Sequence, residues 1–112
     1  MSTRQELESR LETSTRQMTA LQQQLAAMIE ASRDDNADDE HDPEGSTIAF
    51  ERQQLAALLQ RAHRARDDAR HALDQLDAGV YGICERCGGP IAPERLEARP
   101  DARLCIECAR AG

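Results

Sequence analysis

Aromatic side chains are almost missing from this chain of 112 residues, which has no Trp, one Phe (Phe50) and one Tyr (Tyr81). That leaves little material for a thick hydrophobic core, and chains this small commonly rely on a staple such as a metal or a disulfide. Long apolar runs are also lacking. None approaches the roughly 20 residues of a membrane span, so no membrane association is expected. Residues 1–6 carry no apolar stretch of the signal-peptide type. A cytoplasmic location is therefore expected, where paired cysteines more often hold metal or do redox work than form disulfides. Nor is there an excess of basic charge: 14 basic side chains face 21 acidic ones, for a net charge of -7. Broad electrostatic wrapping of DNA needs a basic face, so no direct sequence-specific DNA binding is expected.

What is present is unevenly placed. Residues 34–44 hold seven acids (Asp34, Asp35, Asp38, Asp39, Glu40, Asp42 and Glu44) and no base. The rest of the chain balances at 14 acids against 14 bases, so the whole net charge sits in that stretch. Before it, Leu7, Leu11, Met18, Leu21, Leu25 and Met28 fall at alternating steps of about four and three, with Ser14 filling the one gap. That is a heptad seam, and it predicts a helix over residues 3–33. The run Thr3-Arg4-Gln5-Glu6 has the form of a capping box at its start. The acidic stretch ends in Asp42-Pro43-Glu44-Gly45-Ser46, and like charges with Pro and Gly predict a turn or loop over 34–46. A second helix is predicted over 47–78. Ile48, Leu55, Ala62, Ala69 and Leu76 repeat at seven, Leu59, Leu73 and Val80 form the partner register broken by Arg66, and Gly79 stands as a stop. Two matched helices joined by a short loop pair as an antiparallel hairpin, and the alanines at 62, 65, 69 and 72 permit close approach.

From residue 80 onward helical periodicity stops and Cys, Gly and Pro concentrate. All four cysteines lie here, as Cys84-Glu85-Arg86-Cys87 and Cys105-Ile106-Glu107-Cys108, with 17 residues between the pairs. Two residues between cysteines let one tight turn aim both thiolates at a single ion, and two such turns complete a tetrahedron. Gly88 and Gly89 supply the conformational freedom that the first turn needs. Four protein ligands leave no position for water, so one structural Zn2+ is expected rather than a catalytic metal. Iron fits less well. The competing readings are two disulfides, or a dithiol redox centre, which normally sits at a helix start in a βαβ setting. Val80, Tyr81, Ile83, Ile91, Leu96, Leu104 and Ile106 are too few to hold this part together, so metal binding is expected to supply much of its folding free energy. Four thiolates and one Zn2+ change the local charge by about -2.

The run from Tyr81 through Cys84-Glu85-Arg86-Cys87-Gly88-Gly89-Pro90-Ile91, then Arg95-Leu96-Glu97-Ala98-Arg99-Pro100 and Leu104-Cys105-Ile106-Glu107-Cys108, resembles the DksA/TraR-type C4 zinc-finger proteins. The resemblance implies a regulator that binds bacterial RNA polymerase rather than DNA. Its coiled coil would enter the secondary channel, and acidic tip residues, here Asp35, Asp38, Asp39 and Asp42, would act near the polymerase active site. The tip motif of the family is D-x-x-D-x-A. This chain has Asp39-Glu40-His41-Asp42-Pro43-Glu44 and Asp35-Asn36-Ala37-Asp38-Asp39-Glu40, both with Glu in place of the Ala. Some members act jointly with the alarmone (p)ppGpp through basic residues. Arg99 matches one of these as an alarmone or polymerase contact, but Asp68 and Ala109 stand at the other two, which argues against (p)ppGpp cooperation. Four residues follow Cys108, so the C-terminal helix of longer relatives is not expected.

His41, His63 and His71 read as solvated surface residues, and Arg61, Arg64, Arg66 and Arg70 as a solvated face paired with Asp67, Asp68 and Asp74. No Ser-His-Asp set, Gly-rich phosphate loop or paired carboxylates in a pocket can be made out, so no catalytic residue is assigned and no enzyme is expected. The expected protein is mainly α: an antiparallel coiled-coil hairpin over 1–79 with an acidic tip at 34–46, and a C4 zinc-finger module over 80–112. The alternative functions are a zinc-ribbon module binding protein or nucleic acid, with the coil as a dimerisation arm, and a thiol oxidoreductase.

Overall fold

In the computed structural model, residues 2–34 and 43–112 are described, with side chains for 2–33 and 47–112. Among them run four helices: α1 (Thr3–Asp34), α2 (Pro43–Ala78), α3 (Pro93–Ala98) and α4 (Ile106–Ala111). The described residues form no strand beyond one isolated antiparallel bridge, Ile83 to Pro90. The first two helices make the hairpin that the heptads require, and none of the described helices is long and apolar enough to cross a membrane.

The helix ends follow local chemistry. The reciprocal box at the start of α1 uses Ser2 and Gln5, one residue ahead of the expected Thr3 and Glu6. Gln5 N–H donates to Ser2 Oγ at 3.1 Å and Ser2 N–H to Gln5 Oε1 at 3.0 Å. A side chain can cap only from the last non-helical residue, and Thr3 is already inside the first turn. At the same end of the hairpin, where α2 stops, Gly79 has φ +77°, its N–H donates to Leu76 O and Val80 N–H donates to Gln75 O. This pair of backward bonds closes α2, and it needs the left-handed conformation that glycine takes without strain.

The expected loop over 34–46 is too long. Asp34 belongs to α1, and α2 starts at Pro43 rather than residue 47. Proline is preorganised for a first helical turn and lacks the N–H that would go unpaired there. The acidic residues Asp35, Asp38, Asp39 and Asp42, together with His41, lie outside the described residues.

The chain divides into two compact units, residues 1–13 with 64–112, and residues 14–63. In the first, Leu7, Ala69 and Ala72 are buried, Leu11, Leu73 and Leu76 are half-buried, and Arg4 bonds Asp77 at 2.7 Å across the hairpin. In the second, Ser14, Met18 and Ala62 are buried, with Leu21, Leu25, Met28, Leu55 and Leu59 half-buried. The seam of α1 thus carries the burial its spacing implies. The register on α2 needs two corrections. Ile48 is 38% exposed, and Val80, beyond the glycine stop, is 47% exposed, because the chain leaves the helix there and turns into the next segment.

The same unit corrects the expectation for residues 80–112. Two short helices form despite the lost periodicity. Pro93 starts α3, and Cys105 immediately precedes α4. Ile91 and Pro100 are buried here beside Cys84, a small set for a segment of this length.

Leu7 is fully buried with the alanines of the facing helix too small to fill a void. Leu7→Ala is expected to lower the unfolding free energy by about 3 kcal/mol, read as a reduced urea midpoint with unchanged slope.

Candidate metal centre

The four cysteines converge although 17 residues separate the pairs. One sulfur from each lies within 4.8 Å of every other, and Cys87 Sγ to Cys105 Sγ is 3.9 Å. A disulfide would place sulfurs at about 2.05 Å. A tetrahedron with metal–sulfur bonds of about 2.3 Å has edges of about 3.8 Å. The spacing fits four thiolates around one ion, and all four thiols are free.

Local structure sets each donor. The first pair sits in a tight turn whose mouth is closed by the bridge between Ile83 and Pro90. Cys84 N–H donates to Gly89 O at 2.7 Å, and Gly88 N–H donates to Cys84 O at 2.9 Å. Gly88 holds φ +74°, which a side chain would oppose. Gly89 N–H donates to Cys87 Sγ at 3.4 Å, a bond that favours the thiolate. The second pair uses a helix start instead: Cys105 precedes α4 and Cys108 lies on its first turn, with Ala109 N–H on Cys105 O. The halves are tied together by the two residues between the first cysteines. Glu85 N–H donates to Arg103 O at 2.8 Å, and Arg86 Nη1 donates to Cys108 O at 3.1 Å.

The thiols do not ionise alike. Backbone N–H groups, that of Cys87 foremost and then that of Cys105, draw Cys84 down to about 6. Cys108 is pushed up to about 12, first because its S–H is held by the Cys105 sulfur and then because it is partly withdrawn from water. Four sulfurs this close cannot all carry charge unaided, whereas a bound divalent cation holds all four as thiolates. Soft thiolates in a closed four-ligand set suit zinc, and the site is that of one structural zinc.

Beyond the sulfurs, Tyr81 Oη donates to Pro100 O at 2.8 Å, and burial, then the charges of Asp101 and Glu6, raise the phenol above its ordinary value so that it stays a donor. Arg103 Nε reaches Asp68 Oδ1 at 2.7 Å. Neither Arg103 nor its pairing with Asp68 is legible in the sequence, since the two are 35 residues apart and no motif marks them. Asp68 therefore does not join the arginine face of α2, where Arg66 pairs with Asp67 at 3.0 Å. Arg99 is exposed and caps the end of α3. His71 is half-buried and within 3.1 Å of Gln75 Nε2, less solvated than expected.

The model for the prokaryotic dksA/traR C4-type zinc finger matches residues 79–111. Over the larger part of the chain, the structure of transcription factor DksA2 from Pseudomonas aeruginosa superposes with a TM-score of 0.52 and 30% identity, covering 94% of this chain and 81% of that one. The chain belongs to the DksA/TraR family. Among curated relatives, the RNA polymerase-binding transcription factor DksA of Haemophilus influenzae is 53% identical over 36 residues, 32% of this chain and 25% of that protein. General stress protein 16O of Bacillus subtilis is 32% identical over 72 residues, 64% of this chain and 44% of that protein. The chain thus spans less than half of these curated relatives. The four cysteines of this DksA/TraR member stand within residues 79–111, the region that the zinc-finger model matches.

Protons compete with the metal for the thiolates, so affinity falls as pH falls. Zinc is expected to remain bound at pH 7 and to be released on acidification, as protons take the four sulfurs. A chromophoric chelator reads the release. Retention unchanged down to about pH 4 would contradict thiolate ligation.

Proposed function

We propose that this chain is a DksA-like transcription regulator that binds bacterial RNA polymerase and acts through the acidic segment joining α1 and α2. The observation that carries the reading is the combination of a C4 metal centre with two long helices whose connection and adjoining ends, residues 34–44, hold the entire net charge of the chain. The likeness to DksA2 over 94% of the chain supports it, as does the name of the Haemophilus relative, an RNA polymerase-binding transcription factor. In this reading residues 1–79 are the arm, 80–112 the zinc module, and Cys84, Cys87, Cys105 and Cys108 hold the scaffold. Asp35, Asp38, Asp39 and Asp42 carry negative charge into the secondary channel, where carboxylates compete for the cations and basic groups that hold nucleic acid. Catalysis has no part in it.

Alarmone cooperation is not part of the proposal. Where basic residues would meet its phosphates, Ala109 offers no charge, and the Asp68 carboxylate adds a negative one engaged with Arg103. Arg99 alone is basic and exposed, which suits a contact with polymerase.

A second reading, a zinc-ribbon module with the coil as a dimerisation arm, draws on Phe50 and Leu58, 60% and 45% exposed on α2. Sedimentation separates the two: the regulator reading expects a monomer that co-purifies with polymerase, the other a dimer that does not.

With purified polymerase, Asp39→Asn with Asp42→Asn is expected to leave binding largely intact and abolish the effect on transcription initiation. Unchanged regulation would refute the tip role. Adding (p)ppGpp is expected to leave the size of the effect unchanged within about twofold, because only one of the three basic positions is kept and a single arginine holds a polyphosphate weakly.

A further inference from the structure

Arg103 stands two residues before Cys105 and touches three places at once. Its carbonyl accepts the N–H of Glu85, inside the first cysteine pair, at 2.8 Å, and its Nη1 lies 3.5 Å from Glu85 Oε1. Its Nε donates to Asp68 Oδ1 at 2.7 Å and its Nη2 to Asp67 O at 3.3 Å, both on α2. One planar guanidinium thus spends three nitrogens on fixed partners, which locks its plane, and lysine cannot reproduce this with a single point charge.

The approach to it is also held. Pro100 is fully buried with its carbonyl on the Tyr81 hydroxyl, and Leu104 O accepts Arg95 Nε at 2.9 Å. Residues 100–104 therefore reach the second cysteine pair along a path set on both sides.

We propose that Arg103 is a positioning residue for the metal centre, and that its pair with Asp68 couples zinc binding at the four cysteines to the C-terminal part of α2. The proposal rests on zinc loading of those cysteines. Groups that fix the ligands behind the metal shell commonly set its affinity, because they remove the freedom the ligands would otherwise lose on binding. The coupling is reciprocal: whatever Arg103 contributes to zinc affinity, zinc returns to the Arg103–Asp68 pair. Both side chains are about one-third exposed, at 32% and 34%, so solvent screens the charge attraction and the effect comes from orientation.

The test measures zinc affinity by chelator competition on the full chain, with zinc content determined for each protein. Arg103→Gln is expected to weaken zinc roughly tenfold, and Asp68→Asn by less. The double variant should be no weaker than Arg103→Gln alone, because the two act as one unit. Arg103→Lys keeps the charge but stays weakened. In the cobalt-substituted protein, Arg103→Gln shifts the visible absorption bands that report tetrahedral thiolate geometry. Leu7→Ala, which lowers stability without touching the centre, leaves those bands and the affinity of the folded protein unchanged. Far-UV dichroism of zinc-loaded Arg103→Lys supplies the folded comparison should Arg103→Gln lose its helices. Affinity within twofold of the parent in both Arg103 variants overturns the proposal, as do additive losses in the double variant. A parent chain that takes up no zinc overturns the metal reading itself, and the positioning role with it.

Discussion

Four sulfurs held within 4.8 Å of one another are an unstable arrangement unless something neutralises them. Without a cation the backbone favours one thiolate, at Cys84, and the neighbouring sulfurs keep Cys108 protonated far above the ordinary thiol range. A divalent ion reverses that preference and turns mutual repulsion into shared ligation. The last third of the chain depends on this, because Cys84, Ile91 and Pro100 are a small buried set. Turns tied by single backbone bonds, such as Cys84 to Gly89 and Glu85 to Arg103, keep their geometry when both ends are anchored on one ion.

The helical part meets a different constraint with different means. With almost no aromatic residues, the hairpin buries alanines on α2 and a narrow line of Leu, Ser and Met on α1, which allows close approach at the cost of core volume. The buried positions named on the hairpin fall at 7, 14 and 18 on α1 and at 62, 69 and 72 on α2. Apolar side chains nearer the connection, including Ile48, Phe50 and Leu58, stay exposed.

Much of this was legible because the signals are local. A heptad seam, a C-x2-C turn and a glycine stop are each written within a few residues, and the physics that reads them, helical periodicity, bite geometry and positive φ, acts over the same range. The misreadings were at edges, where one residue of register matters. Ser2 rather than Thr3 caps α1, Pro43 opens α2 inside what looked like loop, and Val80 falls beyond the helix stop. Each is decided by which residue is the last outside the helix, a competition among neighbours of similar propensity.

The amino-acid sequence by itself determined the donor set, the two long helices, and the confinement of net charge to residues 34–44, since ligand spacing, periodicity and charge count need no distant partner. Only the tertiary structure decided what surrounds the metal. Arg103 meets Asp68 across 35 residues and Tyr81 meets Pro100 across 19. Such contacts exist only once the loop between the cysteine pairs is closed, because their strength depends on an orientation that no local pattern encodes.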